Sequence, residues 1–388
     1  MQHRPLYIVP LMVEQPTWGG SYIARSKHLA HSLVEGKNIG QAFELYNESW
    51  VSASATPNFA FATATNLSEP LFADTTNVEQ LQNIVEQDIA GTLGAEAVRR
   101  GWTNMQVLIK FTQAQNNSYQ VHVVPGKEFG KWLPKPESWY FLEKGKATLG
   151  LADTTAVDAY KARCIEIDTR AQEISAQIQA GQLTVEEGRA ELQVFIDQDH
   201  PRKFVNTVHV DSEAVIDLSQ GGIHHSWEMD EALPDGNIVY EVQVNVMDEY
   251  CTLRSFDQGN IKGDGKVRPL TIEDYFTALD VDKERNTPAH YFSQTSTEED
   301  QGTTIRVLFQ NQFYVSELIS FERSYQGKYS ITSSSFHHVY ALEGDVSIMA
   351  SDQMYPLKQG WSLFIPAAIG QYELVSEGGH ARVITTHL

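Results

Sequence analysis

The sequence predicts a mainly β fold with helical insertions, arranged as two related β-barrel domains. Short strand patterns separated by turn residues run through residues 6–151 and return from Thr304 to the C-terminus. Residues 155–198 change to the spacing of amphipathic helices, with many charges between the apolar positions. A weak internal repeat relates residues 213–219 to residues 360–366, and this repeat predicts two copies of one β domain.

The first domain is predicted over residues 1–292. Met105–Phe111 has the apolar run of a buried strand, and a further strand follows around Gln120 and His122. The insertion at about 155–198 interrupts this domain. Thr184, with Glu187 three residues later, has the pattern of a capping box at a helix start, so the insertion is predicted to be a helical hairpin.

The second domain is predicted over residues 304–388, after a uniformly polar linker at 293–303. In the first copy of the repeat, His224 follows Ser219 by five residues. In the second copy, Gln371 stands five residues after Pro366. The second domain is therefore predicted to hold no metal.

Composition excludes several classes of function. The chain has 388 residues, enough for two domains, and its net charge of −21 argues against nucleic acid or an anionic membrane surface as a partner. No apolar run reaches the roughly 18 residues that span a bilayer. Two cysteines, Cys164 and Cys251, stand in unrelated contexts, which predicts free thiols and a cytoplasmic protein.

Candidate metal ligands occur in three places along the chain. Gln120 and His122 are two residues apart, so on a strand they point to the same face. Glu137 follows His122 by fifteen residues, and His224 and His225 lie further on. Each group alone has an ordinary alternative, such as a polar lining, a surface carboxylate or a hydrogen-bonded histidine pair. Together they are a mixed nitrogen and oxygen set suited to Zn²⁺ or another divalent transition metal.

Several motifs occur in a recognisable order. They are Trp18-Gly19-Gly20, Asn47-Glu48-Ser49-Trp50-Val51-Ser52, Val107-Leu108-Ile109-Lys110-Phe111 with Gln120-Val121-His122, Lys135-Pro136-Glu137-Ser138-Trp139-Tyr140, Glu241-Val242-Gln243, Arg254-Ser255-Phe256-Asp257 and Phe364-Ile365-Pro366-Ala367. In these motifs the chain resembles the type I phosphomannose isomerases of the cupin superfamily. The resemblance covers most of the chain outside the helical insertion, and it implies that both domains are cupin-type jelly-roll barrels.

The resemblance also implies a function: zinc-dependent, reversible conversion of mannose 6-phosphate to fructose 6-phosphate. By this resemblance the metal ligands fall on Gln120, His122, Glu137 and one histidine of the pair His224 and His225. The spacing from Ser219 favours His224, whereas the small residue that follows the pair favours His225. We favour His224.

The same resemblance places the proposed base on Lys135 and the essential arginine on Arg254. Isomerisation passes through an enediol(ate), which a Lewis-acidic metal stabilises. Lys135 can act as the base if its pKa is lowered, and metal-bound hydroxide is the competing candidate. Arg254 offers a cationic fork to the enediolate or to the phosphate.

The expected partner is thus a small sugar phosphate, bound by a monomer or homodimer. The alternatives are an isomerase of another sugar or sugar phosphate, and a non-catalytic sugar-binding cupin.

Overall fold

The computed structural model describes residues 3–15, 18–54, 59–63, 66–72, 77–115, 117–226, 230–300, 302–322, 327–332, 334–376 and 379–388. In chain order the strands are β1 (Leu6–Val9), β2 (Leu11–Glu14), β3 (Ile39–Leu45), β4 (Trp50–Ser52), β5 (Ala60–Thr63), β6 (Asn66–Phe72), β7 (Val78–Gln80), β8 (Val107–Ala114), β9 (Tyr119–Val121), β10 (Glu137–Phe141), β11 (Gly145–Leu151), β12 (Val205–Val210), β13 (Val215–Asp217), β14 (His224–Ser226), β15 (Asn237–Val244), β16 (Leu253–Phe256), β17 (Thr297–Asp300), β18 (Thr303–Gln310), β19 (Val315–Phe321), β20 (Gly327–Thr332), β21 (His337–Glu343), β22 (Val346–Ala350), β23 (Gln353–Leu357), β24 (Ser362–Ile365), β25 (Gln371–Ser376) and β26 (Ala381–His387).

The helices are shorter, except for the insertion. They are α1 (Tyr22–Ser26), α2 (His31–Val34), α3 (Leu81–Gln87), α4 (Ile89–Leu93), α5 (Ala95–Arg99), α6 (Val157–Gln179), α7 (Val185–Gln198), α8 (Asp248–Cys251), α9 (Ile272–Ala278) and α10 (Pro288–Tyr291). Short 3₁₀ helices cover Pro201–Phe204 and Ala367–Ile369. Among the described residues, no helix is both long enough and apolar enough to cross a membrane.

The strands of the described residues form four sheets. The outer N-terminal sheet has the order β12-β11-β14-β9-β16, and the inner N-terminal sheet has the order β13-β10-β15-β8-β3-β2-β5-β6. The inner C-terminal sheet has the order β17-β18-β19-β26-β21-β24-β1-β4-β7, and the outer C-terminal sheet has the order β20-β25-β22-β23. The predicted mainly β fold with helical insertions is thus confirmed. Its barrel domains consist of open sheets, since period-two alternation gives a strand two faces but does not determine whether its sheet closes.

Three apolar clusters hold the four sheets together. One lies between the two N-terminal sheets and includes Trp139 and Leu149. A second lies between the two inner sheets and includes Tyr240 and Phe364. A third lies between the two C-terminal sheets and includes Val339 and Leu374. The inner N-terminal sheet therefore has apolar contacts on both faces, which fits the unbroken burial of strands such as β8 and β10.

The insertion is a helical hairpin, as predicted. Thr184 Oγ1 accepts a bond from the Glu187 backbone N–H at 3.2 Å, and Glu187 Oε2 accepts one from the Thr184 N–H at 2.8 Å. The capping box is thereby confirmed. The hairpin packs on the outer N-terminal sheet through a cluster that joins Tyr160 and Ile174 to Leu253.

Part of the segment that was predicted as a linker forms a strand. Within the predicted linker, Thr297–Asp300 forms β17 and pairs with β18, while residue 301 lies outside the described residues. A polar segment can form an edge strand because one side of that strand remains in water. Strand β1 also pairs with β24, so the N-terminal residues complete the inner C-terminal sheet.

A buried ion pair joins the two parts of the chain. Lys27 Nζ lies 2.6 Å from Glu44 Oε1, and both side chains are 1% exposed. Lys27 also donates to the Gly360 carbonyl at 2.7 Å, and Ser362 donates to Glu44 Oε2 at 2.8 Å. Burial lowers the pKa of Lys27, while the Glu44 carboxylate opposes that change.

We expect Lys27→Met to lower the free energy of unfolding by about 3–5 kcal/mol, because the substitution leaves the Glu44 carboxylate buried without its cation. Chemical denaturation of both proteins measures this change. Lys37→Met is the matched control, since its 2.5 Å contact with Glu14 is between side chains 33% and 27% exposed. It should cost at most about 1 kcal/mol. Equal losses in the two variants would contradict a special role for the buried pair.

Candidate metal centre

His122 follows β9 directly, in the outer N-terminal sheet. It is 2% exposed, and its Nδ1 lies 2.6 Å from the Cys251 carbonyl oxygen. A carbonyl can only accept, so Nδ1 carries the proton and donates it. The Nε2 atom is thereby left with a free lone pair, which is the form of imidazole that binds a metal.

His224 begins β14, where it pairs with Gln120 of β9. Its ring lies 4.8 Å from the His122 ring, between centroids, and its Nδ1 lies 3.1 Å from the Gly222 carbonyl oxygen. Gly222 has a φ of +109°, and a Cβ at that position would lie 2.3 Å from the Tyr291 hydroxyl. Only glycine fits there, and the resulting turn fixes the His224 ring with its Nδ1 bonded to the backbone.

Glu137 begins β10, in the facing sheet. Its Oε2 atom lies 3.3 Å from His122 Nε2 and 2.6 Å from Lys135 Nζ. Burial raises the pKa of Glu137, but the Lys135 ammonium and the two neighbouring histidines together outweigh burial and hold that pKa well below its usual range. The carboxylate is therefore charged, as a metal ligand must be.

The three side chains meet at one point. Ligand atoms of His122, Glu137 and His224 lie within 4.8 Å of one another, and all three residues are buried. His122 Nε2 and Glu137 Oε2 have no hydrogen-bond partner among the described residues, and Glu137 Oε2 forms a close ion pair with Lys135. Burial, followed by the charge of His122, lowers the pKa of His224 to about 3. Two neutral imidazoles and one carboxylate fit a divalent metal.

The other proposed ligands lie differently. Gln120 stands on the same strand face as His122 and opposite His224, and its Nε2 donates to Ser118 Oγ at 3.2 Å. His225 points to the other face of β14, where it contacts Gln258 Nε2 at 3.0 Å and Thr148 Oγ1 at 3.4 Å. The structure thus brings His224, and not His225, to His122 and Glu137.

Lys135 is surrounded by carboxylates. Its Nζ lies 2.6 Å from Glu137 and 3.8 Å from Glu241 Oε1. Burial alone lowers the pKa of Lys135, but the charges of Glu137 and Glu241 outweigh burial and raise that pKa above its usual value. This direction is opposite to the one that a lysine base requires. In this arrangement Lys135 carries a proton.

Arg254 is on β16, where it pairs with Gln120 of the neighbouring strand β9. Its Nη2 donates to both carboxylate oxygens of Asp248, at 2.9 and 2.7 Å. Its Nε donates to Ser118 Oγ at 3.1 Å. Arg254 is thus held as a fixed fork, and Asp248 is the group that an anionic ligand would compete with.

Sequence reasoning did not place Glu241 and Lys110 in the site. Glu241 is 5% exposed, and its Oε1 lies 3.1 Å from Lys110 Nζ. It stands opposite Trp139 across the β10–β15 pair, on the face that also carries Glu137. Burial, then the charge of Glu137, raises the pKa of Glu241. The available signal was one charged residue in each of two largely apolar strands, Lys110 in β8 and Glu241 in β15, since such residues are rarely buried without partners.

The chain matches one family model and several solved structures. Residues 313–388 match the family model described as the mannose-6-phosphate isomerase cupin domain. A comparison with curated protein sequences gives no match.

Solved structures match over the whole chain. Mannose 6-phosphate isomerase from Bacillus subtilis is 17% identical with a TM-score of 0.65, and the match covers 100% of both chains. A mutant of phosphomannose isomerase from Salmonella typhimurium is 12% identical with a TM-score of 0.65, over 99% of both chains. A zinc-bound mannose 6-phosphate isomerase is 11% identical with a TM-score of 0.64, over 99% of both chains. These matches show that the chain has the fold of the solved mannose 6-phosphate isomerases over its whole length, in agreement with the resemblance seen in the sequence, and that residues 313–388 are similar to the cupin domain of that family.

Proposed function

We propose that the protein is a zinc-dependent aldose–ketose isomerase that interconverts mannose 6-phosphate and fructose 6-phosphate. The observation that carries the proposal is the convergence of His122, Glu137 and His224, with Lys135 Nζ 2.6 Å from Glu137 Oε2. The mannose-6-phosphate isomerases that share this fold, one of them zinc-bound, support the choice of substrate and metal.

Three residues, His122, Glu137 and His224, would hold the metal, and Gln120 would add an amide oxygen from the same strand face. The bound ion supplies Lewis-acid polarisation of the sugar's carbonyl and hydroxyl oxygens. The two histidines are held by backbone carbonyls before the ion arrives, so little rearrangement is needed to form the site.

The remaining charged residues act on the substrate. Lys135 carries a proton beside the ligand set, so it would act first as an acid: it would donate that proton to the carbonyl oxygen of the sugar as the enediol forms, and recover a proton from the neighbouring hydroxyl as the product carbonyl forms. A second group would carry the proton from C2 to C1. Arg254 would release Asp248 and bind the phosphate or the enediolate instead. Its planar guanidinium can pair with a phosphate as it pairs with a carboxylate. The chain's net charge of −21 makes these local cations the means of binding an anionic sugar.

The proposal includes a small sugar phosphate as the partner, a monomeric or homodimeric state, and a cytoplasmic location. The two cysteines, Cys164 and Cys251, are buried free thiols, which suits a reducing compartment.

A coupled isomerase assay on zinc-reconstituted protein tests the proposal. Mannose 6-phosphate, glucose 6-phosphate and free mannose are the substrates, and Glu137→Ala is the control. We expect turnover of mannose 6-phosphate that falls to background in the control, because the control removes a charged ligand. If the zinc-loaded, folded protein turns over none of these sugars, the assignment is wrong, and isomerisation of another sugar or sugar binding without catalysis takes its place.

A further inference from the structure

Trp139 contacts two of the three residues that form the candidate metal site. It lies two residues after Glu137 on β10, so its side chain points to the same face. It is 7% exposed, and its ring lies in the apolar cluster between the two N-terminal sheets. This position alone would make it a core residue, but its polar atom is directed at Glu137.

The indole N–H of Trp139 donates to Glu137 Oε1. The second oxygen, Oε2, is the one near His122 Nε2 and Lys135 Nζ. Because the indole nitrogen is a donor only, it cannot change roles or bind the ion itself. The bond therefore engages Oε1 and leaves Oε2 beside His122, so a metal held there would be bound through a single carboxylate oxygen.

The ring of Trp139 also contacts His224. The two rings meet edge to face, with centroids 5.5 Å apart and planes at 81°. The Gly222 carbonyl also holds the His224 ring, through Nδ1. Two contacts thus restrain that ring, and Trp139 restrains candidate ligands that come from two different sheets.

We propose that Trp139 is a positioning residue for the metal, which fixes Glu137 as a ligand through one oxygen and holds the His224 ring in its binding orientation. This inference rests on the metal site of the proposed function and not on its substrate. Hydrogen bonds to ligating carboxylates and contacts to ligating imidazoles commonly change metal affinity by about 10–100-fold. Trp139 supplies both.

The test is zinc affinity, measured by competition with a chromogenic chelator. Trp139→Phe removes the N–H and keeps an aromatic ring beside His224, and it should weaken zinc binding by roughly 10–100-fold. The visible absorption of the cobalt-loaded variant should also change, since a carboxylate free to bind through both oxygens raises the coordination number. A residue that only fills the core would change neither the affinity nor the spectrum.

Trp132→Phe is the matched control. Trp132 is 3% exposed, and its indole N–H donates to Asp274 Oδ2 at 2.8 Å, outside the metal cluster. The Trp132→Phe variant loses the same kind of bond, but at a place outside the metal cluster. It should therefore retain wild-type zinc affinity. The inference fails if Trp139→Phe, with a wild-type unfolding midpoint, binds zinc within twofold of the wild type. It also fails if the wild type binds no zinc. If Trp139→Phe weakens zinc binding but the wild type isomerises none of the sugars, the proposed function fails and the inference about Trp139 stands.

Discussion

His224→Ala is expected to weaken zinc binding by roughly 10²–10³-fold and to remove isomerase turnover at ordinary zinc concentrations. Structural zinc sites with four ligands have apparent binding free energies of about 10–16 kcal/mol, or about 2.5–4 kcal/mol for each ligand. The His224 ring is 4.8 Å from that of His122, and its pKa of about 3 leaves it neutral and ready to bind at neutral pH. Chelator competition measures the affinity, and the coupled assay measures the turnover.

His225→Ala is the control for this experiment. It removes the same side chain from the next position of the same strand, but from the face that contacts Gln258 and Thr148. It should keep zinc affinity and lose only stability. If His225→Ala loses the metal and His224→Ala keeps it, β14 has the opposite register from the one described, because a shift by one residue exchanges the two faces of a strand.

Local patterns explain which features the sequence predicts well. The capping box at Thr184 and the shared face of Gln120 and His122 depend on residues two or three positions apart. Such spacings have fixed consequences in a helix or a strand. The helical hairpin and the candidate ligands could therefore be identified before any pairing of strands was known.

Features that depend on distant pairing could not be predicted in this way. Glu241 lies opposite Trp139, and Leu6 pairs with Phe364 from the far end of the chain. Nothing in a single sequence fixes these registers, because every strand with an apolar face has many possible partners. The same limit left His224 and His225 unresolved, since the choice between them depends on the register of β14 against β9.

Lys135 shows how pairing also determines chemistry. The sequence suggested a base whose pKa is lowered by burial, yet strand pairing brings Glu241 to 3.8 Å from its ammonium, and the pKa is raised instead. The charge of a buried lysine depends on its neighbours as much as on its burial. Glu241 comes from a strand more than a hundred residues away, so its effect was outside the reach of any local pattern.

Lys135→Met is expected to lower kcat by roughly 10²–10⁴-fold, the usual contribution of a side chain that transfers a proton. Zinc affinity should stay the same or rise, because the substitution removes a positive charge 2.6 Å from the Glu137 carboxylate, which is proposed as a ligand of the ion. A residue with only a structural role would change affinity and rate together. Lys146→Met is the control, since it breaks a 3.0 Å ion pair with Asp230 outside the cluster and should leave kcat unchanged.

Lys135→Arg separates charge from proton transfer. Arginine keeps the positive charge beside Glu137 and Glu241 but does not lose its proton in proteins. If Lys135 moves a proton during isomerisation, the arginine variant should be as slow as the methionine variant, although it folds and binds zinc. Recovery of the wild-type kcat in Lys135→Arg would show that only the charge is needed. The proton would then have to be moved by another group in contact with the substrate.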